Sequence, residues 1–140
     1  MRDLRISEIM TTHVVSVRDD ASLSNIDWEM TLAEVRHIPV VDDAGHLLGL
    51  VSDRDLLRNI ARAERSRLPV SYVMSAAPLT VRPDDPALAA LEVLLTRKVG
   101  AVPVVDDAGH LIGIVTSTDF LNLAYRALRG IPIDAPHVKA

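Results

Sequence analysis

Cysteine is absent from this chain and aromatic residues nearly so, with one Trp, two Tyr and one Phe among 140 residues. Without cysteine there can be no disulfide, no thiol nucleophile and no thiolate metal site. With so few rings, the core must be built from Val, Leu, Ile, Ala and Met, and aromatic platforms for stacking bases are scarce. Positive charge is not in excess: 15 Lys and Arg face 19 Asp and Glu, a formal charge of -4. A broad grip on nucleic acid needs clustered cations that release counterions, so nucleic acid is not an expected partner. No apolar run reaches the roughly 20 residues that span a bilayer, and the start MRDLRISEIM lacks a secretory apolar stretch. The expectation is a soluble cytoplasmic protein with no membrane partner.

The usual signatures of catalysis are missing too. His13, His37, His46, His110 and His137 include no pair at the spacing of a helical zinc site, so no metal is expected. There is no Gly-rich phosphate loop, dinucleotide fingerprint or nucleophile elbow. The doublets Asp42-Asp43 and Asp106-Asp107 belong to Asp-Asp-Ala-Gly turns, where aspartate serves the backbone. The chain reads as a non-enzyme with no required cofactor.

What is present is a repeat. PVVDDAGHLLGLVSDRD at Pro39 to Asp55 returns as PVVDDAGHLIGIVTSTD at Pro103 to Asp119, an offset of 64 residues, and 19 of the 52 pairs from Ile6/Val70 to Leu57/Leu121 are identical. Residues 1–64 and 65–130 form the two copies, with a tail at 131–140. Each copy opens with an apolar segment ending at Met10 or Met74 and continues with a short strand at Val15 to Val17 or Leu79 to Val81. Helices follow to about Ala33 and Arg97, announced by Asp20 and Ser22, or by Asp84, Asp85 and a first-turn Pro86. Leu88, Leu91, Val93, Leu94 and Leu95 give the second of them a broad apolar face. Trp28 and Met30 in the first read either as core or as partly exposed interface residues, the latter being preferred. A hairpin comes next, Ile38 to Val41 and Leu47 to Val51 around the Asp42 to His46 turn, and helices resume after Ser52 and Thr116. Arg58 to Leu68 reads as a charged extension, and Gly130 with Pro132 ends the last helix near Arg129. His46 and His110 occupy equivalent turn positions and are assigned no role.

At the end of each hairpin stand a glycine, a hydroxyl and a carboxylate: Gly49, Ser52 and Asp55, then Gly113, Thr116 and Asp119. Two accounts fit this spacing. Ser52 with Asp55, and Thr116 with Asp119, satisfy a capping box with aspartate in place of glutamate, and so can simply start helices. The same helix N-terminus offers unpaired N–H groups to an anion, its hydroxyl can join them on a phosphate, and the carboxylate a turn later can accept from a vicinal diol such as ribose. Arg54 can neutralise phosphate in the first copy, whereas the second has Thr118, so the two sites should be unequal.

At these residues the chain resembles the CBS domain family in its tandem form, the Bateman module. Ile38-Pro39-Val40-Val41-Asp42 through Asp55, and Val102-Pro103-Val104-Val105-Asp106 through Asp119, carry the likeness, which extends from Ser7 to Arg129. The resemblance implies an α/β fold of two β-α-β-β-α repeats packed through their sheets by a pseudo-twofold axis. It implies a regulatory module that binds AMP, ADP, ATP or S-adenosylmethionine in clefts between the copies and modulates an unidentified partner protein, with a flat homodimer as the usual assembly. By the same likeness Asp55 and Asp119 hold ribose hydroxyls and Ser52 and Thr116 meet phosphate. Ile38-Pro39 and Val102-Pro103 line adenine, and Ser16-Val17 and Thr80-Val81 complete the pockets. The alternative is a structural or dimerisation module that binds no ligand.

Overall fold

The computed structural model describes residues 3–58 and 68–132. The charged extension read at 58–68 lies, from 59 to 67, outside the described residues, as does the tail from 133 onward. The fold is mixed α/β, with two small sheets and covering helices. Its two compact units are not consecutive stretches: one takes Met1–Thr12, Leu79–Asp106 and Ile112–Ala140, the other His13–Pro78 and Asp107–Leu111.

The unit that holds the first hairpin contains a four-stranded sheet in the order β1 (Val17–Arg18), β2 (His37–Val41), β3 (Leu47–Ser52) and β4 (Ser75–Ala76). β1 runs parallel to β2, as a connection through a helix allows, while β2, β3 and β4 pair antiparallel. α2 (Leu23–Ala33) and α3 (Asp53–Arg58) complete this unit. α2 starts where Ser22 Oγ accepts from the Asn25 N–H, the cap read from the sequence. Its core joins Leu23, Ile26 and Met30 of α2 to Ile38, Val40, Val51, Leu56 and Val70.

The other unit repeats the plan with α1 (Ile6–Ile9), α4 (Ala87–Arg97), β5 (Ala101–Val105), β6 (Leu111–Thr116) and α5 (Ser117–Leu128). The expected strand at Leu79 to Val81 is a single parallel rung, Val81 on Val104, and Thr11 forms an antiparallel rung on Ile114. Pro86 is the N-cap of α4 rather than a first-turn residue. At the other end of the unit the expected stop holds, with Arg129 as C-cap and Gly130 at φ +75°.

Opening segments and helix stripes differ from the simplest expectation. The segment ending at Met10 packs with the second hairpin, through Ile6 and Ile9 beside Val81, Val102, Val104 and Val115. The segment ending at Met74 packs with the first. Each hairpin therefore borrows the opening segment of the other copy. In α4 the buried stripe is Ala87, Ala90 and Leu94, while Leu88 and Leu95 are exposed. The equivalent stripe of α2 is Leu23, Ile26 and Met30. Of the apolar face read for α4, Leu94 is core and Val93 packs against it, whereas Leu88 and Leu95 lie outside the stripe and Ala87 and Ala90 complete it. The same stripe decides between the two readings of the first helix: Met30 is core at 6% exposure, whereas Trp28 is 63% exposed.

The two DDAGH turns meet within one unit. Leu47 N–H donates to Gly109 O at 3.1 Å and Leu111 N–H to Gly45 O at 3.0 Å, so His46 and His110 form an antiparallel rung. Gly45 and Gly109 make the turns possible at φ +88° and +86°. The imidazoles stack with centroids 4.3 Å apart and planes 19° from parallel. Asp42 Oδ1 accepts from the Ala44 and His46 N–H groups, and its Oδ2 lies 3.2 Å from His46 Nδ1. The His46 backbone N–H, above all, holds the Asp42 carboxyl below its usual value. A double-mutant cycle of His46→Ala and His110→Ala, read by urea unfolding, should give a coupling energy of about 0.5–1.5 kcal/mol, the range for stacked ring pairs.

Candidate functional site

The predicted residues gather in two sets, one in each unit. In the first, Ser16-Val17, Ile38-Pro39 and Ser52, Arg54 and Asp55 lie on or beside three adjacent strands, because Val17 pairs with Val40, Pro39 with Leu50, and His37 with Ser52. In the second, Thr80-Val81 lies against Pro103, whose carbonyl accepts from the Val81 N–H at 3.1 Å, and Thr116 and Asp119 stand where β6 turns into α5.

Ladder pairing sorts these side chains by face, since residues directly opposite on an antiparallel ladder point the same way and neighbours along a strand alternate. His37, Pro39, Leu50 and Ser52 share one face. Ile38, Val40 and Val51 share the other and are spent on the helix-covered core, with Val17 packed against it. In the second unit Val81 and Val102 are likewise core. The valines and isoleucine read as pocket walls thus turn their side chains into the cores, while Ser16, Pro39, Ser52, Thr80, Pro103 and Thr116 are the side chains left for the other face.

Both corners are complete capping boxes. Ser52 N–H donates to Asp55 Oδ2 at 2.8 Å and Asp55 N–H donates to Ser52 Oγ at 3.2 Å. Thr116 N–H donates to Asp119 Oδ2 at 2.8 Å, its hydroxyl donates to the same oxygen at 3.3 Å, and the threonine oxygen accepts from the Asp119 N–H. The two corners are anchored alike, by Asp53 N–H on Arg36 O at 2.9 Å and Ser117 N–H on Gly100 O at 3.1 Å. The corners differ in depth and charge. Asp119 is buried at 7% exposure, Asp55 is half-buried, and exposed Arg54 has Thr118 as its counterpart.

Gly49 and Gly113 have a structural duty instead. A Cβ on Gly49 would meet Met74 Sδ at 2.5 Å and Ser75 O at 2.9 Å, and one on Gly113 would meet Met10 Sδ at 2.8 Å. They admit the borrowed opening segments to β3 and β6.

One residue of the first corner was missed. His37 stands opposite Ser52, half-buried, and burial pushes its imidazole below the usual 6.5, against the pull of Asp53 and Asp55 and with a smaller push from Arg36. In unfolded chains this histidine takes up a proton near 6.5, whereas the folded chain does so only at lower pH, so folding stability should fall as pH drops below that value. Melting curves across the acid range should show a steeper loss for the wild type than for His37→Gln.

The CBS domain family profile matches residues 6–62 and 70–126. A CBS domain-containing protein of Dictyostelium discoideum is 30% identical over 138 residues, 91% of this chain and 95% of that protein. The crystal structure of CBSX2 in complex with AMP superposes with a TM-score of 0.78 at 29% identity, covering 89% of this chain and 98% of that one. The CBS domain pair of protein MJ0100, in complex with 5-methylthioadenosine and S-adenosyl-L-methionine, shares the fold with a TM-score of 0.83 at 22% identity over 90% of this chain and 99% of that one. Metabolic enzymes match over a small part of themselves: this chain spans 21% of the inosine-5'-monophosphate dehydrogenase of Mycobacterium bovis. With both hairpin repeats matched and nearly the whole length of a relative covered, the chain belongs to the CBS domain family, as a tandem pair.

Proposed function

We propose that this CBS pair is a non-enzymatic sensor that binds adenosine nucleotides at the Ser52–Asp55 and Thr116–Asp119 corners and so modulates a separate partner protein. The observation that carries this reading is the duplicated corner: a hydroxyl and a carboxylate fixed at a strand-to-helix junction, on the sheet face where Pro39 and Ser52 stand. Likeness to CBSX2, solved with AMP, supports adenine nucleotides as the ligand class. AMP, ADP, ATP and S-adenosylmethionine are the panel to test by calorimetry, together with mass spectrometry of small molecules released from the purified protein. Failure of every member to bind, with no released nucleotide, rejects the reading.

The completed capping boxes favour a second reading, in which the corners only start helices and the pair serves as a structural module. It predicts that nucleotides leave the melting temperature unchanged, whereas binding to the native state must raise it.

A cytoplasmic setting belongs to the proposal; among the described residues, no helix is long and apolar enough to cross a membrane. A homodimer is part of the same proposal. Leu88 and Leu95 on α4 and Leu121 and Leu128 on α5 are exposed on two helices that pack together, surplus apolar surface of the kind that self-association covers. A Leu95→Asp, Leu121→Asp variant should sediment as a monomer at concentrations where the wild type is dimeric.

A further inference from the structure

The two corners are built alike in backbone, and among the side chains in which they differ is a titratable one on the sheet face of Ser52. β2 begins with His37, whose side chain leaves the same sheet face as that of Ser52, directly opposite it on the ladder. The residue one repeat later is Ala101, buried at 2% exposure. Anchoring bonds on Arg36 O and Gly100 O are nearly identical, so the difference is chemical rather than a matter of backbone path. The charged groups acting on His37 are Asp53, Asp55 and Arg36, two of them in the first turn of α3.

We propose that His37 is a specificity-determining residue of the first corner: it takes up a proton when a phosphate-bearing adenosine nucleotide binds beside Ser52 and Asp55, so that binding there tightens as pH falls. This rests on the nucleotide-binding reading above and adds to it which corner responds to the phosphate and how. In the free protein, burial keeps the imidazole neutral near pH 7. A phosphate dianion beside it supplies the opposite charge that offsets the cost of desolvating an imidazolium, and the resulting hydrogen bond is charge-assisted. By linkage, whatever the nucleotide does to proton affinity, the proton must do to nucleotide affinity. The second corner, with alanine in this place, has no such group and should bind with little pH dependence of its own.

The test uses the whole chain with AMP as the probe, and adenosine as the probe without phosphate. AMP affinity is measured by calorimetry at about pH 8 and about pH 6.8, above the second phosphate ionisation near 6. His37 ring protons are followed by NMR titration with and without saturating AMP. For the wild type, AMP should tighten by about three- to tenfold between the two conditions, within the limit of tenfold per pH unit set by one proton. The His37 titration midpoint should rise on adding AMP and not on adding adenosine, and His37→Gln should flatten the AMP profile. If AMP binds but wild type and His37→Gln share one pH profile and the His37 ring midpoint does not move, the inference falls while nucleotide binding stands. If AMP does not bind at any pH, both fall. Should the glutamine variant fail to fold, the ring titration of the wild type decides alone.

Discussion

Replacing Asp55 and Asp119 together with alanine is expected to weaken nucleotide binding at both corners by roughly 10- to 150-fold and also to lower the melting temperature. Two losses are combined in each substitution. The first is structural: the Ser52 and Thr116 N–H groups lose the carboxylates they donate to at 2.8 Å, a cap worth about 1 kcal/mol at each helix. Asp119 should be the costlier of the two, because at 7% exposure its side chain is buried, so truncation leaves an unfilled space as well as an uncapped helix. The second loss is at the ligand. A hydrogen bond to a charged acceptor contributes about 1.5–3 kcal/mol, which corresponds to roughly a 10- to 150-fold weakening at each corner. Calorimetry and thermal melts on Asp55→Ala, Asp119→Ala and the double variant separate these effects. Asparagine at the same positions keeps an acceptor oxygen for the cap but loses the charge, so it should spare the melt more than the binding. Undiminished AMP binding by a folded double alanine variant would remove the carboxylates from the proposed site.

Gly49→Ala is expected to destabilise the fold by about 1–3 kcal/mol, the range for overpacking a filled interior. The new methyl would approach Met74 Sδ at 2.5 Å and Cγ at 2.9 Å, and also Ser75 O at 2.9 Å. A thioether can swing aside. The Ser75 carbonyl cannot, since β4 is held on β3 with Gly49 opposite Ala76 and Leu50 opposite Ser75. Gly113→Ala should cost less, because its closest backbone contact, Thr11 O, is farther at 3.1 Å. Adding Met74→Ala to Gly49→Ala should recover only part of the loss, since the carbonyl clash remains. Urea unfolding would show the order; equal stability of Gly49→Ala and wild type would mean that β4 yields freely and is not a fixed part of the sheet. Against a typical total of about 5–15 kcal/mol, a change of this size is a large share of the stability.

The hairpins, their turns and the helix starts after Ser52 and Thr116 were legible because they depend on neighbours in sequence. Asp-Asp-Ala-Gly needs a positive φ at glycine, and Ser-x-x-Asp spacing brings its own cap together. The two hydroxyl–carboxylate corners were legible for the same reason. His37 was not, and the cause is one residue wide. Val41 pairs with Leu47, but a bulge between Val40 and Val41 shifts the register so that Val40 meets Gly49 and His37 meets Ser52. Counting outward from the turn without that bulge would put Val51 opposite His37 and assign the polar face wrongly, because a one-residue slip exchanges the faces of a strand. The alanine stripe of α4 escaped for a different reason: the helix is apolar on more than one side, and tertiary packing decides which side, Ala87, Ala90 and Leu94, is turned inward.

By itself the sequence determined the duplication, the α/β class, the family likeness and the two hydroxyl–carboxylate corners: the corners rest on spacing within a few residues, and the rest on the same order of residues returning 64 positions later. Only the tertiary structure decided that each hairpin takes its last rung from the other copy's opening segment, Thr11 on Ile114 and Ala76 on Gly49. The two segments are alike in pattern, so sequence cannot say which sheet each will join; packing against Met10 and Met74 at the glycines does. The same holds for the sheet faces. Which way Ile38 and Val102 point depends on a register that long-range pairing sets, and that pairing turns their side chains into the helix-covered cores.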